Sequence, residues 1–269
     1  MTTVQGGALE GADASKRWGL LAERLAFLGN SLLSPLTVET AFGLDEAFWD
    51  EFGAGLAVCG GLAADGAPAC GEATERALAR MKARVHDLRV ASPEVDAAVR
   101  RANVEYARLF IGPPKPAAPP WETMYARGGG VGEVGFGRAT VAMQDLLREA
   151  GLELAGGSNQ YADHLGIELL YAAELCRRIA ARASACEDPN TAGGAAVRAA
   201  DGSAADAARD GIAKEHGGTE ARLRAFAREH PASWATAFRE RVAESAPDGY
   251  YLGIAEVAEA LCAAIGNPQ

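Results

Sequence analysis

Apolar residues recur at three- and four-residue intervals along most of the chain, which is the spacing of one helical face. The first run begins at Ser15, with an apolar face of Trp18, Leu21, Leu25 and Leu28. The same spacing predicts further helices near residues 45–52, 74–90, 92–110, 138–150, 161–185, 219–229, 232–245 and 249–264. The pattern therefore predicts an all-α, single-domain helical bundle over residues 15–265.

Local start and stop signals support these helices. Asp45 and Ser92 are predicted N-caps, and Pro93 and Glu94 suit the first turn after Ser92. A glycine followed by two prolines, beginning at Gly112, is expected to end that helix. In the longest helix, 161–185, the residues predicted to point inward are Leu165, Leu169, Ala172, Leu175, Cys176 and Ile179.

Three segments lack a helical pattern. Residues 1–14 are small and polar, and we expect them to be disordered. Residues 112–137 contain five prolines and several glycines, and so long a connection in a helical domain is usually functional or disordered. Residues 186–212 carry few large apolar groups, so their burial cannot offset the entropy of ordering them. We predict a functional loop at 112–137 and a flexible insertion at 186–212.

Charge and cysteine content narrow the classes of function. The chain has 36 acidic and 26 basic residues, a formal net charge of -10. This balance argues against nucleic-acid binding and suits a positively charged partner. The five cysteines form no CxxC pair, so reduced thiols are expected. Because no long apolar run and no secretory signal are recognisable, we expect a cytoplasmic protein without stable membrane insertion.

The sequence indicates no catalytic or metal site. The His86-Asp87 dipeptide resembles part of a phosphohydrolase metal site but lacks the upstream histidine, and no pair of Glu-x-x-His units is present. Nucleophile-elbow, zincin and Walker patterns are also absent. The glycine-rich run 128–132 lacks the lysine and hydroxyl of a phosphate loop, so a plain flexible loop is favoured over phosphate binding. His216 and His230 are interpreted as helix-end residues.

Two other groups of residues could carry binding. Residues 117–125 combine a rigid Pro-Pro dipeptide with a tryptophan, a glutamate and a tyrosine, which supply broad contact area. The helix before them offers Tyr106, Leu109 and Phe110 as one apolar patch, and such a patch is more often core than binding surface. Asp163 and His164 begin the longest helix, where they either cap its N-terminus or form the polar edge of a groove.

Three motifs together carry a resemblance to a known family. Residues 106–113 (YARLFIGP), 118–125 (APPWETMY) and 163–169 (DHLGIEL) resemble the signature set of the TorD/DmsD family. The stretches 230–234 and 250–251 resemble the last helices of that family. The resemblance implies an all-helical cytoplasmic chaperone for molybdenum oxidoreductases that are exported by the twin-arginine route.

The resemblance also implies a groove for the client's signal peptide. Arginine pairs strongly with carboxylates, which adds Glu122 and Glu168 to the residues that the family implies. The predicted peptide-binding set is Tyr106, Leu109, Phe110, Trp121, Glu122, Tyr125, Asp163, His164 and Glu168. The residues predicted to shape the loop are Gly112, Pro113, Pro119 and Pro120. This chain departs from the family pattern at residues 160–162, where an acid and a proline are usual, and at Thr123, where serine is common.

Two rival functions remain open at this point. A guanine-nucleotide-binding regulator would rest on residues 128–132 and on Asp163 and His164, because weak GTP binding has been proposed in the family. An assembly scaffold would instead bind a folded subunit of nitrate-reductase type. No tightly bound cofactor is expected, and the sequence fits a monomer or a domain-swapped dimer.

Overall fold

A computed structural model of the protein describes residues 5–58, 71–125, 137–154, 160–185 and 218–266. Within these ranges the secondary structure is helical, apart from a single β-bridge between Trp121 and His164. The α-helices are α1 (Gln5–Leu33), α2 (Glu46–Val58), α3 (Glu72–Ala91), α4 (Val95–Tyr106), α5 (Arg138–Glu149), α6 (Leu165–Ala185), α7 (218–229), α8 (Pro231–Ser245) and α9 (Tyr250–Gly266). The predicted all-α helical bundle is confirmed.

Helices α1 and α6 form the centre of the bundle. The apolar face predicted for α1 is buried, and so are all six residues predicted to point inward from α6. The two helices approach closely at Gly29 and Gly166. A Cβ atom on Gly29 would lie 2.7 Å from the carbonyl oxygen of Gly166, and the reverse substitution would give the same distance. Glycine at both positions therefore sets the separation of these two helices.

Several helix boundaries differ from the predicted ones. Helix α1 begins at Gln5 rather than Ser15. Helix α4 begins after Glu94 rather than Ser92, because Ser92 ends α3. The Asp45 N-cap is confirmed: its Oδ1 atom accepts the backbone N–H of Ala47 at 3.0 Å.

Helix α4 continues into a π-helical turn, Ala107–Ile111, and ends at Gly112. The φ angle of Gly112 is +89°, and a Cβ atom there would lie 2.5 Å from the carbonyl carbon of Lys115. Only glycine fits such a position without strain. The chain then turns back, and the N–H of Ala118 donates to the carbonyl of Leu109 at 2.9 Å.

Some predictions fall outside the residues that the structure describes. They concern the glycine-rich run 128–132, the insertion at 186–212, and Cys59, Cys70 and Cys186. Cys176 and Cys262 are buried, and neither forms a disulfide bond with another described residue. In the described part of the chain, no helix is both long enough and apolar enough to cross a membrane.

Candidate functional site

The predicted aromatic patch lies inside the bundle. The rings of Tyr106 and Phe110 are 5.1 Å apart, so these residues do form one cluster. Phe238 of α8 and Tyr251 of α9 cover Phe110, with ring centroids 6.1 and 5.4 Å away. Leu109 is fully buried beside them. The expectation of an open apolar trough therefore differs from the structure, because α8 and α9 pack onto this face of α4.

Tyr125 links the proline-rich loop to α8. Its ring stacks on that of Trp234, with centroids 5.4 Å apart and planes inclined by 18°. Burial raises the pKa of the Tyr125 hydroxyl above its usual range, so this half-buried side chain stays neutral. Tyr125 contributes to the attachment of the loop rather than to a free surface.

The loop pairs through its backbone with the turn before α6. The N–H of Glu122 donates to the carbonyl of Asp163 at 2.9 Å, and the N–H of Leu165 donates to the carbonyl of Pro120 at the same distance. Pro120 is buried, whereas Pro113 at the start of the loop is exposed and Pro119 is half-buried. The second and third motifs of the resemblance therefore meet here, and the first motif joins the second through the hydrogen bond between Ala118 and Leu109.

Trp121 and Tyr161 form an aromatic edge beside this backbone pairing. Their rings meet edge to face with centroids 6.2 Å apart. Trp121 is half-buried and Tyr161 is 38% exposed. Of the aromatic residues in the predicted peptide-binding set, Trp121 and Tyr125 retain partial exposure, and Trp121 has an exposed aromatic neighbour. We name the pair Trp121 and Tyr161 the Trp–Tyr edge.

Asp163 is completely buried, and its carboxylate holds the proline-rich loop in place. Its Oδ2 atom accepts the N–H of Thr123 at 3.0 Å and the hydroxyl of Thr123 at 2.5 Å. Its Oδ1 atom accepts the hydroxyl of Thr140, in α5, at 2.9 Å. Because the carboxylate is enclosed and holds three donors, it is not placed to receive a partner's arginine in this conformation.

His164 acts as the cap that sequence analysis offered as one alternative. Its Nδ1 atom accepts the N–H of Gly166 at 2.9 Å, which satisfies a free donor in the first turn of α6. Burial lowers the pKa of His164 to about 3, so the imidazole is neutral at physiological pH. Asp163 and His164 therefore have structural roles here, and neither borders an open groove.

Glu122 and Glu168 also lie inside the protein, next to each other. Nδ1 of His230 lies 2.9 Å from Oε2 of Glu122, and Nε1 of Trp234 donates to Oε2 of Glu168 at 3.2 Å. Burial first, and then the charge of Glu122, raise the pKa of Glu168 well above its usual range. Oε1 of Glu168 is buried and has no donor. Glu168 is thus enclosed, whereas the Glu122 side chain keeps 11% exposure.

Sequence reasoning did not select four residues that the structure brings to this region: Thr140, Tyr161, His230 and Trp234. The stretch 230–234 did form part of the resemblance, and this was a usable signal for His230 and Trp234. Thr140 and Tyr161 carried no such signal, because their partners lie on other segments of the chain.

The fold and site define an all-α protein in which a proline-rich loop is fixed against the bundle and places Trp121 beside Tyr161. Residues 67–240, more than half of the chain, match the nitrate reductase delta subunit family. The chain belongs to this family, which comprises TorD-type chaperones for the maturation of molybdenum enzymes. The resemblance drawn from the three motifs is thereby confirmed.

Proposed function

We propose that this chaperone binds the twin-arginine signal peptide of a molybdenum oxidoreductase catalytic subunit in the cytoplasm. It would hold the peptide until cofactor insertion and folding of the client are complete. The observation that carries the proposal is the Trp–Tyr edge, which lies where the second motif of the resemblance pairs with the third. No bond is made or broken in this function, so its free energy comes from burial of apolar peptide surface.

The Trp–Tyr edge has the properties of an anchoring surface. Trp121 offers a large apolar side chain that packs edge to face on Tyr161, and such residues often dominate binding energy. The backbone pairing of residues 120–122 with 163–165 and the Asp163 hydrogen bonds hold Trp121 in place. A preorganised anchor loses less entropy on binding.

Charge supports the choice of a cationic peptide. The net charge of -10 attracts two adjacent arginines over several ångströms, and this attraction weakens with added salt. Asp163 and Glu168 are buried, so the attraction is assigned to the overall field of the protein rather than to these two carboxylates. Tyr106, Leu109 and Phe110 act in this proposal by supporting the loop from inside the bundle.

The proposal is tested by calorimetric titration with a synthetic twin-arginine signal peptide of a molybdenum oxidoreductase. We expect Trp121→Ala to weaken binding by about 1–3 kcal/mol, and Tyr161→Ala to weaken it as well, with unchanged circular dichroism. Phe42→Ala is the matched control, because Phe42 is an aromatic residue with 63% exposure in the turn between α1 and α2. Wild-type affinity in Trp121→Ala would contradict the proposal.

Two further titrations separate this function from its rivals. The client without its leader should bind far more weakly than the leader alone, whereas an assembly scaffold would bind the leaderless client. GTP with Mg²⁺ should give little heat in the absence of peptide, whereas a nucleotide-binding regulator would bind it directly.

A further inference from the structure

Glu122, Glu168 and His230 converge at one point between the proline-rich loop, α6 and α8. One ligand atom from each side chain lies within 4.8 Å of the other two. Glu122 and Glu168 are buried and His230 is half-buried. Among the described residues, these three side chains form the group of histidine and acidic residues whose ligand atoms are close enough together to hold a metal ion. The function proposed above does not use it.

The unpartnered oxygen of Glu168 points to what this group binds. Oε1 of Glu168 is fully enclosed and has no donor, although the other oxygen is bonded to Trp234. Two ionised carboxylates cannot donate to each other, and contact with Glu122 is one of the causes that raise the pKa of Glu168. Two buried carboxyl groups side by side therefore need a positive charge between them, either a proton or a cation.

We propose that Glu122, Glu168 and His230 bind a divalent transition-metal ion. One imidazole nitrogen and two carboxylate oxygens suit Zn²⁺, Mn²⁺ or Fe²⁺, and three protein ligands leave a position for water. Bonds of about 2.0–2.2 Å at tetrahedral angles place ligand atoms about 3.3–3.6 Å apart. The ligand atoms, which lie within 4.8 Å of one another, would therefore have to approach by up to about 1.5 Å when the ion binds.

The surroundings resemble those of a built metal site. The Trp234 N–H orients Glu168 by holding its second oxygen, as outer hydrogen bonds orient metal ligands. The ring of His230 stacks on Phe226 with centroids 5.2 Å apart, which fixes its plane. The side chains of Glu122 and His230 retain 11% and 16% exposure, which provides a route for the ion to enter. A bound ion would tie the loop that carries Trp121 to α6 and α8.

The experiment uses the full chain, treated with a chelator and then titrated with Co²⁺ as the probe. We expect one tightly bound ion per chain, seen as weak visible absorption bands without the intense bands of cobalt–thiolate bonds. Glu168→Gln and His230→Phe should both lose this uptake. The first keeps an acceptor for Trp234, and the second keeps the ring that stacks on Phe226.

His86→Ala is the matched control. Nδ1 of His86 lies 2.9 Å from Oε1 of Glu46, the same separation as between His230 and Glu122. This pair is exposed, and no third histidine, cysteine or acidic side chain of the described residues joins it. The His86→Ala variant should bind Co²⁺ like the wild type. Absence of uptake by the wild type, uptake by His230→Phe, or thiolate bands would each overturn the proposal. If the Glu168→Gln variant loses helicity, the Co²⁺ uptake of the His230→Phe variant alone decides whether the proposal holds.

Discussion

Asp163 accepts both polar hydrogens of Thr123, a residue 40 positions earlier in the chain. The backbone N–H and the hydroxyl of Thr123 converge on one oxygen, Oδ2, while the hydroxyl of Thr140 occupies the other. One buried carboxylate thus fixes the proline-rich loop and the start of α5 at the same time. This role differs from both alternatives that the sequence offered for Asp163, because its carboxylate binds Thr123 and Thr140 rather than capping α6 or bordering a groove.

The first prediction concerns stability. Asp163→Asn should lower the free energy of unfolding by about 1.5–3 kcal/mol, because hydrogen bonds to a charged acceptor are lost and an amide N–H₂ faces existing donors. Urea denaturation measures this change. Thr236→Val is the control: Thr236 donates to Glu259 at 2.6 Å on the surface, and its loss should change stability little. Equal stability of wild type and Asp163→Asn would contradict the assigned role.

The second prediction concerns the salt dependence of peptide binding, and it rests on the proposed function. Since Asp163 is fully buried, its charge does not face a bound arginine. Asp163→Asn should therefore leave the slope of log Kd against log salt concentration unchanged, even if affinity falls. Calorimetric titrations at several salt concentrations provide the test. A clearly shallower slope would show that Asp163 pairs with the peptide.

The third prediction concerns the contact between α1 and α6. Gly29→Ala should destabilise the protein by about 1–3 kcal/mol, because its Cβ atom would collide with the backbone of Gly166 and force the helices apart. Gly19→Ala is the matched substitution in the same helix, with nothing within 4 Å of its Cβ. It should raise stability by about 0.5–1 kcal/mol through better helix propensity. Thermal unfolding would compare the two, and equal effects would rule out a close contact at Gly29.

The fourth prediction concerns pH. The pKa of His164 is lowered to about 3 in the folded state, whereas an unfolded histidine titrates near about 6.5. Between these two pKa values the histidine is protonated in the unfolded state and neutral in the folded state. The free energy of unfolding therefore falls as the pH falls, by up to about 1.4 kcal/mol per pH unit.

His164→Asn tests this effect, because the asparagine oxygen can still accept the N–H of Gly166 but does not titrate. Urea denaturation from pH 7 to pH 4 should show a smaller loss of stability in the variant than in the wild type. Identical pH profiles would mean that His164 takes up a proton in the folded protein.

The fifth prediction separates core from surface among the predicted binding residues. Phe110→Ala should lower the free energy of unfolding by about 3–5 kcal/mol, because a large enclosed ring is removed from contact with Phe238 and Tyr251. Replacement of the half-buried Trp121 by alanine should lower the free energy of unfolding clearly less. Denaturation of both variants gives the comparison, and a small effect for Phe110→Ala would place this ring at an accessible surface.

The sequence alone determined which segments are helical, apart from several helix ends, and which faces of α1 and α6 are buried. The apolar face of α1, the inward residues of α6 and the cap at Asp45 follow from interactions between residues a few positions apart, and the 3.6-residue helical repeat makes such interactions visible in the chain. The three motifs likewise indicated the family, because each is a continuous stretch of sequence.

Only the tertiary structure decided which side chains meet. Glu122 reaches His230 across 108 positions, and Glu168 reaches Trp234 across 66. The same packing places α8 and α9 over Phe110, which turns an expected groove into core, and leaves Trp121 beside Tyr161 at the surface. No local pattern encodes these outcomes, because burial depends on how whole helices pack, and that is set by many weak contacts between distant segments.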